Sequence, residues 1–359
     1  MISWNLDPTS RAVVLAVLRQ GPIPRAEVAR RIGLSSGSIT RLTGPLVERG
    51  ILIECSPEQK QIGRPSLPLL VADEAAAILG VKVVPGGLHA VRTGMRGVVQ
   101  SQWTTHSDTS SMKSTAEAIR ELMNNSNHTD VAAVGVSLAA AVDSLGTLRA
   151  VDFLGWGGGN LSHLISDTTG IPCATANDVN ALTLAEHWFG HGRGIQDFAV
   201  LTVGNGVGSG VIINDELMMG AHGSGSTLGA TWLADGRPFG QVLSSAGIAT
   251  AASHASNRVM THAEALLSDD DRVREVLNDA SAAVGHLAAL TAAAYDPQRI
   301  LLTGDGIGLI NDRMSIVHSA LLQHRFFDID PPELVVGQHN FFDWAVGAAA
   351  LAIKLVLST

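Results

Sequence analysis

The chain has 359 residues, 46% of them hydrophobic, enough for about two or three compact units around sizeable cores. Its strictly apolar runs fall short of a bilayer span, the opening MISWNLDPTS lacks the pattern of a secretion signal, and Cys55 and Cys173 make neither a disulfide framework nor a zinc ribbon, so the cytoplasm is the expected location and no membrane contact is expected. Net charge is −9 but uneven: through Pro65, nine basic residues (Arg11, Arg19, Arg25, Arg30, Arg31, Arg41, Arg49, Lys60, Arg64) stand against five acids, leaving a head near +4 suited to a polyanion and a body near −13.

In DPTSRAVVLAVLRQG, Asp7 stands where a cap belongs, Pro8 at a first helical position and Gly21 at the end, which predicts one helix. A second is predicted from Pro24 to Ile32, with Gly33 permitting the turn after it. Ser35 is placed to cap a third, whose Ile39, Leu42 and Leu46 share one face and whose Gly37, Thr40, Arg41 and Gly44 share the other. Short polar groups and an arginine near the start of such a helix suit a major groove, with Ser36 and Ser38 near phosphates. Pro45 removes the bond to the Arg41 carbonyl, so a kink or early end is expected there. ILIEC and LPLLV read as two strands flanking a wing that carries Gly63-Arg64-Pro65. Arg64 on that restricted backbone fits a narrow minor groove; pairing with a surface acid is the alternative.

From about Ile78 strands alternate with helices. ILGVKVV, LHAVRTGM and GVVQSQWTT read as strands, followed by the helix STAEAIRELMNN, the strand VAAVGVSLA and a helix beginning near Asn177. A second set opens with DFAVLTVG and GSGVIIN, continues through long helices from about Asp270 to Tyr295, and reaches the strand RILLTG. The element order predicts two halves of one topology with a ligand cleft between them.

On GLSSGSITRL and GRP in the head, and VDFLGW, ANDVNALTLAEHWFG, LTVGNGVGSGVI and LLTGDGI in the body, the chain resembles a ROK-family transcriptional regulator over nearly its whole length. That family joins sugar kinases to repressors carrying an added winged helix. The resemblance implies an α/β fold with an N-terminal winged helix-turn-helix and a two-lobed actin-like ATPase (RNase H-like) body. Residues 1–75 would form the head with its linker, 76–190 the first lobe completed by a C-terminal helix at 341–357, and 191–340 the second lobe.

Where the kinases carry an Asp-x-Gly-Gly-Thr-type phosphate loop this chain has Pro85-Gly86-Gly87, without the acid and hydroxyl. Gly204 to Gly210 resembles the second phosphate loop, although a tight strand connection alone asks for the same glycines. Asp305 falls where an adenosine-binding turn is implied. The implied sugar clamp keeps Asn177 and Asp178 but shows Phe153, Thr227 and Ala230 at its other positions, and no Glu from Pro238 to Ala263. The implied zinc ligands are missing too, and His187 and His191, four apart, are read as imidazoles near helix carbonyls. No metal or cofactor is expected.

The resulting expectation is a DNA-binding transcriptional regulator, a repressor, and not an enzyme. It reads double-stranded DNA through Ser36, Gly37, Ser38, Thr40, Arg41 and Arg64, as a homodimer or higher homo-oligomer on an inverted repeat. Its body is expected to take a sugar or sugar-derivative effector at Asn177, Asp178, Trp156 and Thr227, with Phe153 and His222 nearby; a body serving only as a dimer scaffold is the alternative. The competing enzyme reading is a ROK-type sugar kinase with Asp178 as general base.

Overall fold

The computed structural model describes residues 4–56, 67–125, 130–143, 145–150, 154–223, 227–323 and 330–358. In the head, the Asp7 carboxylate accepts the Thr9 and Ser10 N–H groups at 3.0 and 3.1 Å and starts α1 (Pro8–Gln20). Helix α2 (Arg25–Ile32) stops at Gly33, whose φ of +70° only glycine adopts without cost. The Ser35 hydroxyl accepts the Ser38 N–H at 3.2 Å and opens α3 (Ser36–Glu48).

Of the two outcomes expected at Pro45, a kink or an early end, the end does not occur there: α3 runs through that residue to Glu48. Pro45 lies on the exposed side of the helix, so its ring displaces no core residue, and the turn beyond it is held by the buried Leu46. One lost hydrogen bond is offset by that burial. Leu42 is only half-buried, whereas Thr43 is fully buried, donating to the Ile39 carbonyl at 2.9 Å and accepting the Arg25 Nε–H at 3.0 Å. Strands β1 (Leu52–Glu54) and β2 (Leu69–Val71) pair antiparallel, Leu52 opposite Val71. The loop with Gly63-Arg64-Pro65 lies outside the described residues.

The chain forms two compact units, Met1–Gly194 with Phe342–Thr359, and Ile195–Phe341. Beyond the head, the first contains β3 (Ile78–Val84), β4 (Gly87–Thr93), β5 (Val99–His106), α4 (Met112–Asn125), β6 (Ala133–Leu138), β7 (Ala141–Val142), β8 (Thr147–Ala150), β9 (Gly159–Asn160), α5 (Leu161–Thr169), β10 (Cys173–Asn177) and α6 (Asp178–Phe189). The second contains β11 (Phe198–Val203), β12 (Val207–Ile213), β13 (Glu216–Leu217), α7 (Phe239–Leu243), α8 (Ser245–Ser256), α9 (His262–Leu266), α10 (Asp271–Tyr295), β14 (Arg299–Thr303), α11 (Met314–Gln323) and β15 (Glu333–Val336). Helix α12 (Asp343–Ser358) returns to the first unit.

Each unit has its own five-stranded sheet, ordered β5-β4-β3-β6-β10 and β13-β12-β11-β14-β15. In both, the first three strands in sequence pair antiparallel and the fourth and fifth join parallel. The two halves therefore share one topology, as their element order predicts. The long helical stretch before β14 is a single helix, α10, capped by Asp270, whose carboxylate accepts the Arg272 N–H at 2.9 Å.

Helix α12 packs on β3, β6, β10 and α6 at backbone range. A Cβ at Gly135 of β6 would fall 1.7 Å from the Ala348 carbonyl oxygen, and one at Gly347 would fall 2.7 Å from the Ala181 and Leu182 backbone of α6. Head and first lobe share one continuous apolar core, which runs from Trp4 and Val13 to Trp188, Ile353 and Leu357. Gly135→Ala is accordingly expected to destabilise the first unit by about 1–3 kcal/mol through overpacking. The check is the urea midpoint, which should fall with little change in slope; a wild-type midpoint would contradict the close seating of α12.

Candidate nucleic-acid interface and kinase-like site

On α3 the residues singled out for DNA do stand outward: Ser36, Gly37, Thr40 and Arg41 are exposed and Ser38 half-buried. The Ser38 hydroxyl lies 2.9 Å from that of Ser35, and Thr40 donates to the Ser36 carbonyl at 3.0 Å, which fixes both rotamers and leaves acceptor lone pairs outward. Arg41 makes no hydrogen bond or ion pair among the described residues. An exposed guanidinium on the outer face of a third helix is available to base acceptors or phosphate.

The head's charge is less available than its count of nine suggests. Arg25 reaches Glu54 at 2.5 Å, and Arg30 and Arg31 reach Glu27 at 2.6 and 2.9 Å. The bond from Arg30, with a smaller contribution from Arg31, lowers the Glu27 pKa. Arg11 and Arg19 are engaged with the body, Arg11 on the Ser358 carbonyl and Arg19 over the Trp188 ring. Counting charges along a sequence cannot register these pairings, and among the described residues the outward positive surface narrows to residues such as Arg41.

In the first lobe, the ends of the parallel strands β3, β6 and β10 bring together Lys82, Ser137 and Asn177, where an α/β sheet presents a ligand crevice. Asn177 caps α6: its oxygen accepts the Val179 and Asn180 N–H groups at 2.9 and 3.2 Å, and its amide donates to the Ala140 carbonyl at 3.1 Å. Asp178 accepts the Val179 N–H on one oxygen at 2.9 Å and the Lys82 ammonium on the other at 2.5 Å. The two side chains are only 8% and 13% exposed. Lys82 also lies 5.4 Å from the centre of the Trp344 ring, and Ser137 donates to the Trp344 carbonyl at 2.8 Å. Burial, then the nearby Lys82 charge, lowers the pKa of His89 on the adjacent strand.

Lys82 is the functional residue that sequence reasoning missed. Its signal is a cation inside ILGVKVV, a strand buried almost throughout, where an ammonium requires a partner. With Lys82 in place, Asp178 could serve as a general base only by giving up a buried ion pair.

The glycine turn implied as the first phosphate loop is exposed at Gly86, yet its backbone is bonded within the chain. The Gly86 N–H donates to the Thr109 hydroxyl at 2.9 Å, that hydroxyl donates to the Val84 carbonyl at 2.8 Å, and the Gly86 carbonyl accepts the Ser107 N–H at 3.2 Å. Trp156, offered as a ligand residue, donates its indole N–H to the Thr109 carbonyl at 2.9 Å and packs on the core of this lobe. No hydrogen bond joins it to Asn177 or Asp178 among the described residues.

In the second unit, the turn after β11 closes on Asp305, whose carboxylate accepts the Asn205 N–H at 3.3 and 3.4 Å. A Cβ at Gly204 would fall 1.7 Å from that carboxylate, so this glycine is required by packing alone. A phosphate brought to the Asn205 N–H would compete with an anion already there. His222 and Thr227 are both exposed, Thr227 just before a 3-10 turn at Leu228–Ala230; Phe153 lies outside the described residues. His187 is buried in α6, and His191 sets Nδ1 2.9 Å from Glu186. No group of three His, Cys, Asp or Glu among the described residues is placed to hold a metal. No described helix is long and apolar enough to cross a membrane.

Residues 88–355 match the ROK family, and residues 6–53 match the winged helix-turn-helix DNA-binding family. The chain belongs to the ROK family and carries an N-terminal winged helix-turn-helix. Among curated relatives, the xylose repressor of Caldicellulosiruptor bescii is 22% identical over 227 residues, which is 61% of this chain and 57% of that protein. The DNA-binding transcriptional dual regulator NagC of Escherichia coli K12 is 21% identical over 333 residues, 82% of this chain and 80% of that one. The solved structure of a ROK family transcriptional regulator, a homolog of the E. coli MLC protein, superposes with a TM-score of 0.73 at 20% identity over 97% of this chain and 96% of its own. A ROK hexokinase from Thermus thermophilus gives 0.66 at 21% identity, covering 79% of this chain and all of its own. The fold is thus the actin-like α/β body of ROK sugar kinases with a winged helix-turn-helix added at its N-terminus.

Breaking the Lys82–Asp178 pair by Lys82→Met should cost about 3–5 kcal/mol, because an uncompensated carboxylate stays buried. Adding Asp178→Asn should restore most of that loss. A double-mutant cycle in urea reads the coupling, and additive losses would refute the pairing.

Proposed function

We propose that the protein is a transcriptional repressor: a homodimer or higher homo-oligomer that reads an inverted repeat in double-stranded DNA. Residues 1–75 read the operator, 76–190 with 341–357 form one lobe of the kinase-like body and 191–340 the other. Ser36, Gly37, Ser38, Thr40 and Arg41 enter the major groove, and Arg64 on the wing enters the adjacent minor groove. The observation that carries the reading is the outward Arg41, without a partner among the described residues, on a three-helix head joined to a body whose retained clamp carboxylate, Asp178, is taken up by Lys82. The body moves no phosphoryl group and needs no cofactor; it sets the spacing of two heads and takes a sugar or sugar derivative as effector. Relatives named for xylose and for N-acetylglucosamine support that ligand class.

Duplexes selected from a random pool should be bound with an affinity that falls steeply with salt. Arg41→Ala should weaken binding by about 1–3 kcal/mol, roughly 5- to 150-fold in a gel-shift titration, and relax the preference at the contacted base. Retained affinity would remove α3 as the reading element. A coupled ADP-release assay over a hexose panel should show no turnover. ATP consumption abolished by Asp178→Asn would reverse the assignment to a sugar kinase.

A further inference from the structure

Resting on the regulator reading, we infer that Arg193 is a positioning residue for operator recognition, which clamps the DNA-reading head to the kinase-like lobe. A helix ends with carbonyls that have no intrahelical donor. At the end of α1, Pro22 has no N–H to offer, and the Ile23 N–H, which in a continued helix would reach the Arg19 carbonyl, turns instead to Leu69 at 3.0 Å. Arg193, four residues beyond α6, supplies what is missing. It donates Nε–H to the Arg19 carbonyl at 3.0 Å and a terminal N–H to the Gly21 carbonyl. The cation also meets the negative end of the α1 dipole.

A reciprocal contact lies nearer the start of α1. Arg11 donates to the carbonyl of Ser358, the last residue of α12, at 3.1 Å. An arginine of the head thus satisfies a body helix, and an arginine of the body satisfies a head helix. Between them, the Arg19 guanidinium lies 5.9 Å from the centre of the buried Trp188 ring. Apolar contact alone is non-directional and would let α1 rotate on its seat. Charge-assisted bonds towards both ends of one helix, one through a two-point guanidinium fork, remove that rotation. In a dimer the fixed seat becomes a fixed separation and orientation of two reading helices, which a linear inverted repeat must match.

The test uses the full-length protein and an inverted repeat selected from a random duplex pool with the wild type. Three probes are titrated: the selected repeat, the same repeat with its spacer changed by about one or two base pairs, and a single half-site. Arg193→Ala should bind the full repeat about tenfold more weakly and tolerate the altered spacers, while half-site affinity changes less than about twofold. Arg11→Ala should give the same signature. Arg193→Lys, a point charge without the fork, should fall between wild type and Arg193→Ala. Equal weakening on full repeat and half-site would instead make Arg193 a direct phosphate contact, and unchanged spacer preference would leave the seam without a role in reading; either overturns the inference. If the wild type selects no duplex, the regulator reading itself fails.

Discussion

The C-terminal helix can lie on the first sheet only because glycines leave room for its backbone. With Gly135 under the Ala348 carbonyl and Gly347 against the backbone of α6, α12 sits closer than side chains permit, so strand, helix and helix move as one body. Much else follows from that seat. Trp344 in the first turn of α12 takes the Ser137 hydrogen bond and faces the Lys82 ammonium, while Ser358 at the other end takes Arg11 from the head. One helix therefore spans from the Lys82–Asp178 pair to the winged helix-turn-helix, and α6 makes the same journey from Asp178 to Trp188.

Several polar groups at the implied kinase-like positions are bonded within the chain. Lys82 answers Asp178, Thr109 answers the Gly86 N–H, and Asp305 answers the Asn205 N–H. Buried polar groups left unpaired are costly, and the Lys82–Asp178 pair satisfies both of its members where water is largely excluded. The sheets and helices that present these groups are held by their own apolar cores.

Within the head the same accounting of partners separates structural cations from those available to DNA. Arg25, Arg30 and Arg31 serve carboxylates of the head, and Arg11 and Arg19 serve the body. Arg41 stands apart on the outer face of α3, beside residues too short to obstruct a groove. The basic appearance of the segment is real, yet five of its nine cations are already engaged within the chain.

Local patterning was enough to establish the helices of the head with their caps, the hairpin at Leu52 and Leu69, and the repeated order of strands and helices in the body, because capping, turn chemistry and periodicity act over a few residues. Motifs such as ANDVNALTLAEHWFG carried the family, and the outward face of α3 followed from helical projection. Partners distant in sequence could not be read that way. Lys82 and Asp178 are 96 positions apart, Arg11 and Ser358 are 347 apart, and nothing along the chain pairs them. The continuation of α3 through Pro45 was likewise settled by burial of Leu46 and by the exposed placement of the proline ring. Sequence determined the helices and hairpin of the head and the main strands and helices of the body, while elements such as β10 and β15 emerged only in the fold; the tertiary structure decided which charges are spent on one another, since electrostatic pairing depends on distance through space and on exclusion of water.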